Sequence, residues 1–126
     1  MMDAYISADA RRSLQAQVIM GARLDGFLLG HKRGHRLFVE EILPTQRGFF
    51  PSFEKYITLN TFLNDRIIGF FSFNPEESTT RKILAPFAQG KLFLDITPRD
   101  GQKLDIKSYA IDFDERFYLS PIKLKS

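Results

Sequence analysis

The clearest strand pattern in this 126-residue chain reads RIIGFFSF, from Arg66 to Phe73. Its Ile and Phe residues form a nearly continuous apolar run, which is typical of a strand that is buried on both faces. Pro75 follows the run closely, and a proline cannot donate to a ladder of backbone hydrogen bonds. We therefore expect a central strand here, followed by a turn that starts at Asn74.

Two further strands precede this run. Leu24 to Gly30 is mostly apolar, and Arg36 to Leu43 returns as a second strand that Pro44 ends. The basic segment from His31 to His35 contains a glycine and joins the two. Two strands with a short glycine-containing loop predict a hairpin.

An amphipathic helix is expected before the hairpin. Ser7 can cap its N-terminus, and Ala10, Leu14 and Val18 recur at helical spacing on one face. Gly21 follows at a position where a helix commonly ends. The pattern therefore predicts one helix near the start of the chain.

The middle of the chain gives weaker signals. Gln46 to Phe53 is interpreted as a loop or a short helix, and Tyr56 to Leu59 as a short strand. Ser78 or Thr79 could cap a short helix that reaches toward Ala85.

The last third of the chain predicts a meander of strands. Lys91 to Ile96, Leu104 to Phe113 and Arg116 to Leu119 are apolar runs separated by turn residues. No repeat or linker divides the chain, so we expect one domain over residues 1–126. The mixture of helices and strands predicts the α+β class.

Composition excludes several classes of protein. The chain has no Cys, so it has neither a disulfide framework nor a thiolate metal site. No apolar run reaches the roughly 18–20 residues that span a bilayer, and the N-terminus lacks a signal-peptide pattern. A net charge of +3 does not by itself indicate a nucleic-acid partner. We expect a cytoplasmic protein with no membrane partner.

Three segments, in this order, resemble the JAB/MPN/Mov34 superfamily, which includes the JAMM metalloproteases. They read GFLLG at 26–30, FVEEILPT at 38–45 and IIGFFSFNP at 67–75. In the family the last segment is an apolar strand followed by His-x-His-Pro. The resemblance covers about Tyr5 to Leu119. It implies an α+β fold of the MPN/JAB-like, or cytidine-deaminase-like, type, with a mixed β-sheet flanked by helices.

The resemblance also implies where an active member would have its zinc site. The two His positions fall on Ser72 and Asn74, the Asp position on Ala85, the Ser position on Lys82 and the general-base Glu on Arg23. Zinc favours nitrogen and sulfur donors, and a guanidinium cannot act as a base. We call these five positions the vestigial cleft, and the resemblance implies that it binds no metal and no cofactor.

Two interpretations of the vestigial cleft stay open. Ser72, Asn74 and Arg23 could line a small polar pocket for an anion or a peptide carbonyl. Alternatively, Ser72 and Asn74 make ordinary hydrogen bonds where a strand ends and a turn begins. Asp25 lies near the general-base position but is out of register by two residues.

The two His residues and the basic hairpin offer other sites. His31 and His35 could form a different metal site with Glu40 or Glu41, but no further His or Cys completes a tetrahedral set. We therefore interpret both as exposed polar residues. The basic segment from Lys32 to Arg36 lacks interleaved aromatic residues, so we do not expect it to bind nucleic acid.

A Phe-rich segment is the candidate interface. Gly48 to Phe53 is interpreted as a loop with Gly48 and Pro51 that carries Phe49, Phe50 and Phe53. Exposed apolar patches commonly mark interfaces, whereas a loop folded onto the domain would bury the same rings in its core. Both interpretations remain open.

The leading hypothesis from the sequence is a catalytically inactive MPN-type domain that acts as a protein-interaction or scaffold module. Its expected partner is a protein, and a homodimer is the simplest case. The alternative is a metal-independent small-ligand or peptide binder, or an enzyme, that reuses the vestigial cleft. A nucleic-acid accessory protein is the third hypothesis.

Overall fold

The computed structural model describes residues 2–22, 24–47, 53–100 and 103–126. Its strands are β1 Asp3–Ile6, β2 Gly26–Arg33, β3 Arg36–Pro44, β4 Ile67–Phe73, β5 Leu92–Pro98, β6 Leu104–Asp114, β7 Arg116–Pro121 and β8 Leu124–Lys125. Its helices are α1 Ala8–Ile19, α2 Phe53–Phe62 and α3 Glu77–Ile83, and a 3-10 turn spans Pro86–Ala88. The strands form one sheet in the order β7-β6-β5-β4-β2-β3-β1-β8, curled into a half-barrel.

The predicted fold class, an α+β domain of the MPN/JAB-like or cytidine-deaminase-like type, was wrong. The described residues form mainly one curled eight-stranded sheet, and the helices have only 12, 10 and 7 residues. The prediction missed β1 and β8, which have four and two residues. Strands this short show no readable alternation. They form because β1 pairs in parallel with both β3 and β8, a contact between distant parts of the chain.

The prediction of a central strand at RIIGFFSF is confirmed. Every residue of β4 is buried, and the strand pairs antiparallel with β2 and parallel with β5. Gly69 lies opposite Leu92, and a Cβ atom on Gly69 would lie 2.3 Å from the Leu92 carbonyl oxygen. The close approach of β4 and β5 therefore requires glycine at this position.

Each face of the sheet builds its own apolar core, because successive strand residues point to opposite sides. One core joins α1, through Leu14, to Phe71 of β4. The other joins α2 and α3, through Tyr56 and Ile83, to Phe70 of β4. β4 thus contributes to both cores, which explains its continuous apolar sequence.

The first helix forms as its sequence predicts. The Ser7 side chain accepts a hydrogen bond of 3.0 Å from the backbone N–H of Ala10 and caps α1. After the helix, Gly21 adopts a positive φ of 70°, a conformation that glycine reaches at no steric cost.

The prediction of a short strand at Tyr56 to Leu59 was wrong, because these residues lie within α2. Tyr56 is 4% exposed and packs its ring against Phe70 and Phe87, with centroids 6.3 and 4.9 Å apart. The Asn60 side chain accepts a hydrogen bond of 3.1 Å from the backbone N–H of Ile67 and ties the helix to β4. Tertiary packing thus decides the conformation of a segment whose apolar residues suit either structure.

Several element boundaries also differ from the prediction. β2 extends through Arg33, so only Gly34 and His35 form the turn of the hairpin. The helix α3 begins at Glu77 after Glu76, rather than after Ser78 or Thr79. Within the described ranges, no helix has the length and apolar character that crossing a membrane requires.

Phe71→Ala should lower the free energy of unfolding by about 3–5 kcal/mol, because it empties a fully buried position in β4. Phe113→Ala is the matched control, since this ring lies on β6 and is 48% exposed. This variant should lower the free energy of unfolding by about 1 kcal/mol, the size of an exposed aromatic contact. Urea unfolding measures both, and equal losses would contradict the placement of Phe71 in the core.

Candidate functional site

A polar cleft lies where β4 ends and α3 begins. Ser72 at the end of β4, Asn74 in the turn after it and Lys82 on α3 all line this cleft, which has a volume of about 330 Å³. The structure therefore brings together three of the five residues of the vestigial cleft. We call this site the β4 cleft; its lining is Asp25, Arg47, Ser72, Phe73, Asn74, Pro75, Glu76, Ser78, Thr79 and Lys82.

A buried pair of polar side chains forms the floor of the β4 cleft. The Ser72 hydroxyl donates a hydrogen bond of 2.7 Å to Oδ1 of Asp25, and the two residues are only 1% and 2% exposed. A hydrogen bond to an ionised carboxylate is shorter and stronger than one between neutral groups. Such a bond compensates part of the free energy that is lost when polar groups leave water.

The position of Asp25 is fixed by its own backbone. Its carbonyl oxygen accepts hydrogen bonds from the backbone N–H of Thr45 at 2.8 Å and from the Thr45 hydroxyl at 2.9 Å. These two bonds hold the residue before β2 against the residue after β3. The Asp25 side chain is thereby placed beside the end of β4.

The turn after β4 has a left-handed residue. Asn74 has a φ of 47°, a region that Asn tolerates better than most other residues. Its backbone N–H donates to the carbonyl oxygen of Ile96 at 2.8 Å, so the turn is anchored to β5. Asn74 itself is exposed at the mouth of the cleft.

Three exposed charged residues surround the mouth of the β4 cleft: Arg47, Glu76 and Lys82. None of the three takes part in an ion pair within the described part of the chain. Two cations and one carboxylate give this rim a net positive charge. The rim therefore favours a negatively charged group in front of it.

A half-buried carboxylate lies beside the floor of the cleft. Asp95 on β5 is in register with Ser72, and strand alternation places both on the face that carries Phe70 and Phe93. Burial raises the pKa of Asp95, while the positive charge of Lys107 on the next strand partly opposes the shift.

Of the other two residues of the vestigial cleft, the structure describes only Ala85. Ala85 does not line the β4 cleft, because α3 ends at Ile83 and the chain turns into the 3-10 segment that starts at Pro86. Arg23 lies outside the described residues. Counting residues along the chain could not anticipate where α3 would end.

Sequence reasoning missed several residues of the cleft, Asp25 and Arg47 among them. It set Asp25 aside as two positions out of register and gave no role to Arg47. The available signal for Asp25 was a carboxylate directly before the apolar run GFLLG, since a charge beside a buried strand needs a partner. Arg47 carried no comparable signal, because only the fold brings it near β4.

The helix α2 exposes large apolar side chains. Phe53, Ile57 and Phe62 are 58%, 47% and 80% exposed, and we call these three residues the α2 surface. A shallow groove along the helix runs beside Phe62 and between Glu54 and Leu59. Phe53 is thus the described member of the predicted Phe interface, whereas Phe49 and Phe50 lie outside the described residues.

The two His residues lie on or beside the basic hairpin. His31 Nδ1 is 2.8 Å from Oε1 of Glu40, and this hydrogen bond lowers the pKa of the Glu40 carboxyl. The His31 ring also stacks on Phe38, which stacks in turn on Tyr5, both with centroids 5.0 Å apart. Because the rings stack on one another, they offer nucleic-acid bases only their outer faces.

Comparisons with known proteins show the fold and nothing more. No protein-family model matches the chain, and no curated protein matches it. The chain is similar to the solution structure of protein DSY2949 from Desulfitobacterium hafniense, a Northeast Structural Genomics Consortium target. The two share 19% identity with a TM-score of 0.65, over 98% of this chain and 93% of that one. The resemblance to the JAB/MPN/Mov34 superfamily stays a prediction, because none of these matches tests it.

Ser72→Ala should lower the free energy of unfolding by about 1–3 kcal/mol, because the buried Asp25 carboxylate loses a hydrogen-bond donor. Ser78→Ala is the matched control, since Ser78 lines the same cleft but is exposed, and its effect should stay within about 0.5 kcal/mol. Urea unfolding measures both changes. A Ser72 variant as stable as the control would show that the pair does not hold the floor together.

Asp95→Asn should raise the free energy of unfolding relative to the unmodified chain, and this gain should grow as the pH rises. A carboxyl whose pKa is raised by folding binds its proton more tightly in the folded state, so its contribution to stability is lost as the pH rises through that pKa. The asparagine does not titrate. The free energies of unfolding of the two chains are compared at about pH 3 and pH 7. A gain that is smaller at the higher pH would contradict the raised pKa.

Proposed function

We propose that this protein is a non-catalytic interaction module that forms a homodimer through the α2 surface. The observation that carries the proposal is the exposure of Phe53, Ile57 and Phe62 on one ten-residue helix. The cytoplasmic location expected from the sequence belongs to the same proposal. The proposal assigns binding, and no reaction, to the chain.

The pattern of α2 is unusual for a helix that faces water. One side packs on the core through Tyr56, with Leu59 half-buried beside it. The opposite side normally carries charged and polar residues in a soluble protein. In α2 the side opposite Tyr56 carries polar residues, but both flanks carry exposed apolar ones: Phe53 and Ile57 on one flank, and Phe62 about 140–180° around the helix from them. A partner that covers the α2 surface would bury the exposed apolar residues on these flanks.

A second copy of the chain is the occupant that the charges of α2 favour. Glu54 and Lys55 are the helix's charged residues, so its net charge is zero. Two copies of a neutral surface meet without repulsion, although the whole chain has a net charge of +3. In an interface with two-fold symmetry, the same patch serves both partners.

The small size of the α2 surface limits the affinity of the two copies for each other. A ten-residue helix is about 15 Å long, and it exposes three large apolar side chains. Covering each contributes about 1.5–3 kcal/mol at most, while association costs about 4–15 kcal/mol. We therefore expect a reversible dimer with a dissociation constant in the micromolar range or weaker.

The double variant Ile57→Ser/Phe62→Ser should be monomeric at concentrations where the unmodified chain is partly dimeric. Both side chains face solvent in one copy, so the substitutions should leave the fold intact. Sedimentation velocity over a range of protein concentrations measures the equilibrium.

Ile19→Ser is the matched control, because Ile19 is also a helical residue and is 60% exposed, but it lies at the end of α1. This variant should dimerise as the unmodified chain does. An unmodified chain that stays monomeric up to millimolar concentration would overturn the proposal. Equal loss of the dimer in the control would exclude α2 as the interface.

A further inference from the structure

We infer that the β4 cleft binds a small monocarboxylate that also carries a neutral hydrogen-bond donor, such as a hydroxyl or an amide N–H. This site is separate from the α2 surface and does not depend on the dimer. Its volume of about 330 Å³ lies at the lower end of the range of small-molecule pockets.

The charge of the rim selects the anionic end of the ligand. At the mouth, Arg47 and Lys82 supply two positive charges and Glu76 one negative charge, whereas the fourth charged residue of the lining, Asp25, lies on the floor. A single carboxylate balances the excess of one positive charge at the mouth. A phosphate dianion would exceed it and would meet repulsion from Glu76 and from Asp25. The planar guanidinium of Arg47 also suits the two oxygens of a carboxylate.

The floor of the cleft selects the other end of the ligand. The Ser72 hydroxyl donates its one hydrogen bond to Asp25, so its oxygen can only accept a further hydrogen bond from a ligand. The hydroxyl group has a fixed direction because Ser72 is 1% exposed and Asp25 is held by Thr45. A ligand that reaches the floor must therefore bring a donor.

The backbone around the cleft is held by contacts within the chain. The left-handed turn at Asn74 is anchored to Ile96 of β5, and Thr79 of α3 is buried against the sheet. Binding should therefore cost little ordering of the backbone. The side chains of Arg47 and Lys82 are exposed at the mouth.

The test uses N-acetylglycine and two probes of similar size, each of which differs from it in a single group. N-acetylglycine has both the carboxylate and the amide donor, N-acetylsarcosine lacks the N–H donor, and N-acetylglycinamide lacks the carboxylate. Amide chemical shifts of the ¹⁵N-labelled full chain are followed during titration with each probe. We expect saturable shifts at Ser72, Asn74 and Lys82 with N-acetylglycine, with a dissociation constant of about 1 mM, and at least several-fold weaker binding of the other two.

Variants separate the cleft from general attraction to a basic protein. Lys82→Met should weaken the binding of N-acetylglycine several-fold, because it removes one cation from the rim. Lys103→Met is the matched control, since Lys103 is equally an exposed lysine but lies outside the cleft, and it should leave the binding unchanged. Both substitutions are on the surface, so folding is not at risk.

Three results would overturn the inference. The first is the absence of saturable shifts in the cleft at concentrations well above about 1 mM. The second is equal binding of all three probes, which would mean that neither the rim nor the floor selects the ligand. The third is equal weakening of N-acetylglycine binding by Lys82→Met and Lys103→Met. Such a result would mean that binding depends only on the net charge of the protein. None of these results bears on dimerisation through α2.

Discussion

The close contact between β4 and β5 at Gly69 is the constraint on which the rest of the structure depends. With β4 between β2 and β5, the chain backbone passes so near Leu92 that no side chain fits at position 69. The strand then carries apolar residues to both faces, so it joins the core under α1 to the core under α2 and α3. Because its middle cannot shift, the end of β4 is fixed as well. The position of Ser72, and with it the floor of the β4 cleft, follows from packing several residues away.

The parts of the fold that the sequence predicts are those with strong local signals. A continuous Ile and Phe run identifies β4, and a capping serine with helical spacing identifies α1. The class of fold was predicted wrongly because β1 and β8 have no local signal of their own. Each is too short to be stable alone, and each exists because the two ends of the chain meet beside β3. Contacts between distant segments of this kind cannot be inferred from a single sequence by periodicity.

The wrong prediction of a strand at α2 and the proposed interface both follow from the exposed apolar residues of this helix. Around this helix, Tyr56 faces the core while Phe53, Ile57 and Phe62 face outward, so the apolar residues have no clear period. A periodic pattern arises only when one side of a helix is polar, and its absence made a strand a reasonable interpretation.

The candidate cleft shows a related limit. Ser72, Asn74 and Lys82 could be identified from the resemblance, whereas Asp25 enters the cleft because Thr45 holds the start of β2 beside the end of β3. Its role depends on pairing between strands rather than on its distance along the chain.

Sequences usually agree with their fold at every level, and local exceptions tend to mark functional positions. Two exceptions are present here. The Asp25–Ser72 pair places a carboxylate and a hydroxyl at a buried strand end in a chain with 13 Phe residues. The α2 surface does the reverse and places apolar side chains in water. A core that needed more aromatic volume would have drawn Phe62 inward, but this ring is 80% exposed while Phe27, Phe70 and Phe71 fill the interior. The abundance of Phe is therefore only partly a property of the core: of the exposed Phe residues in the described part of the chain, Phe53 and Phe62 lie on α2 and Phe113 lies on β6.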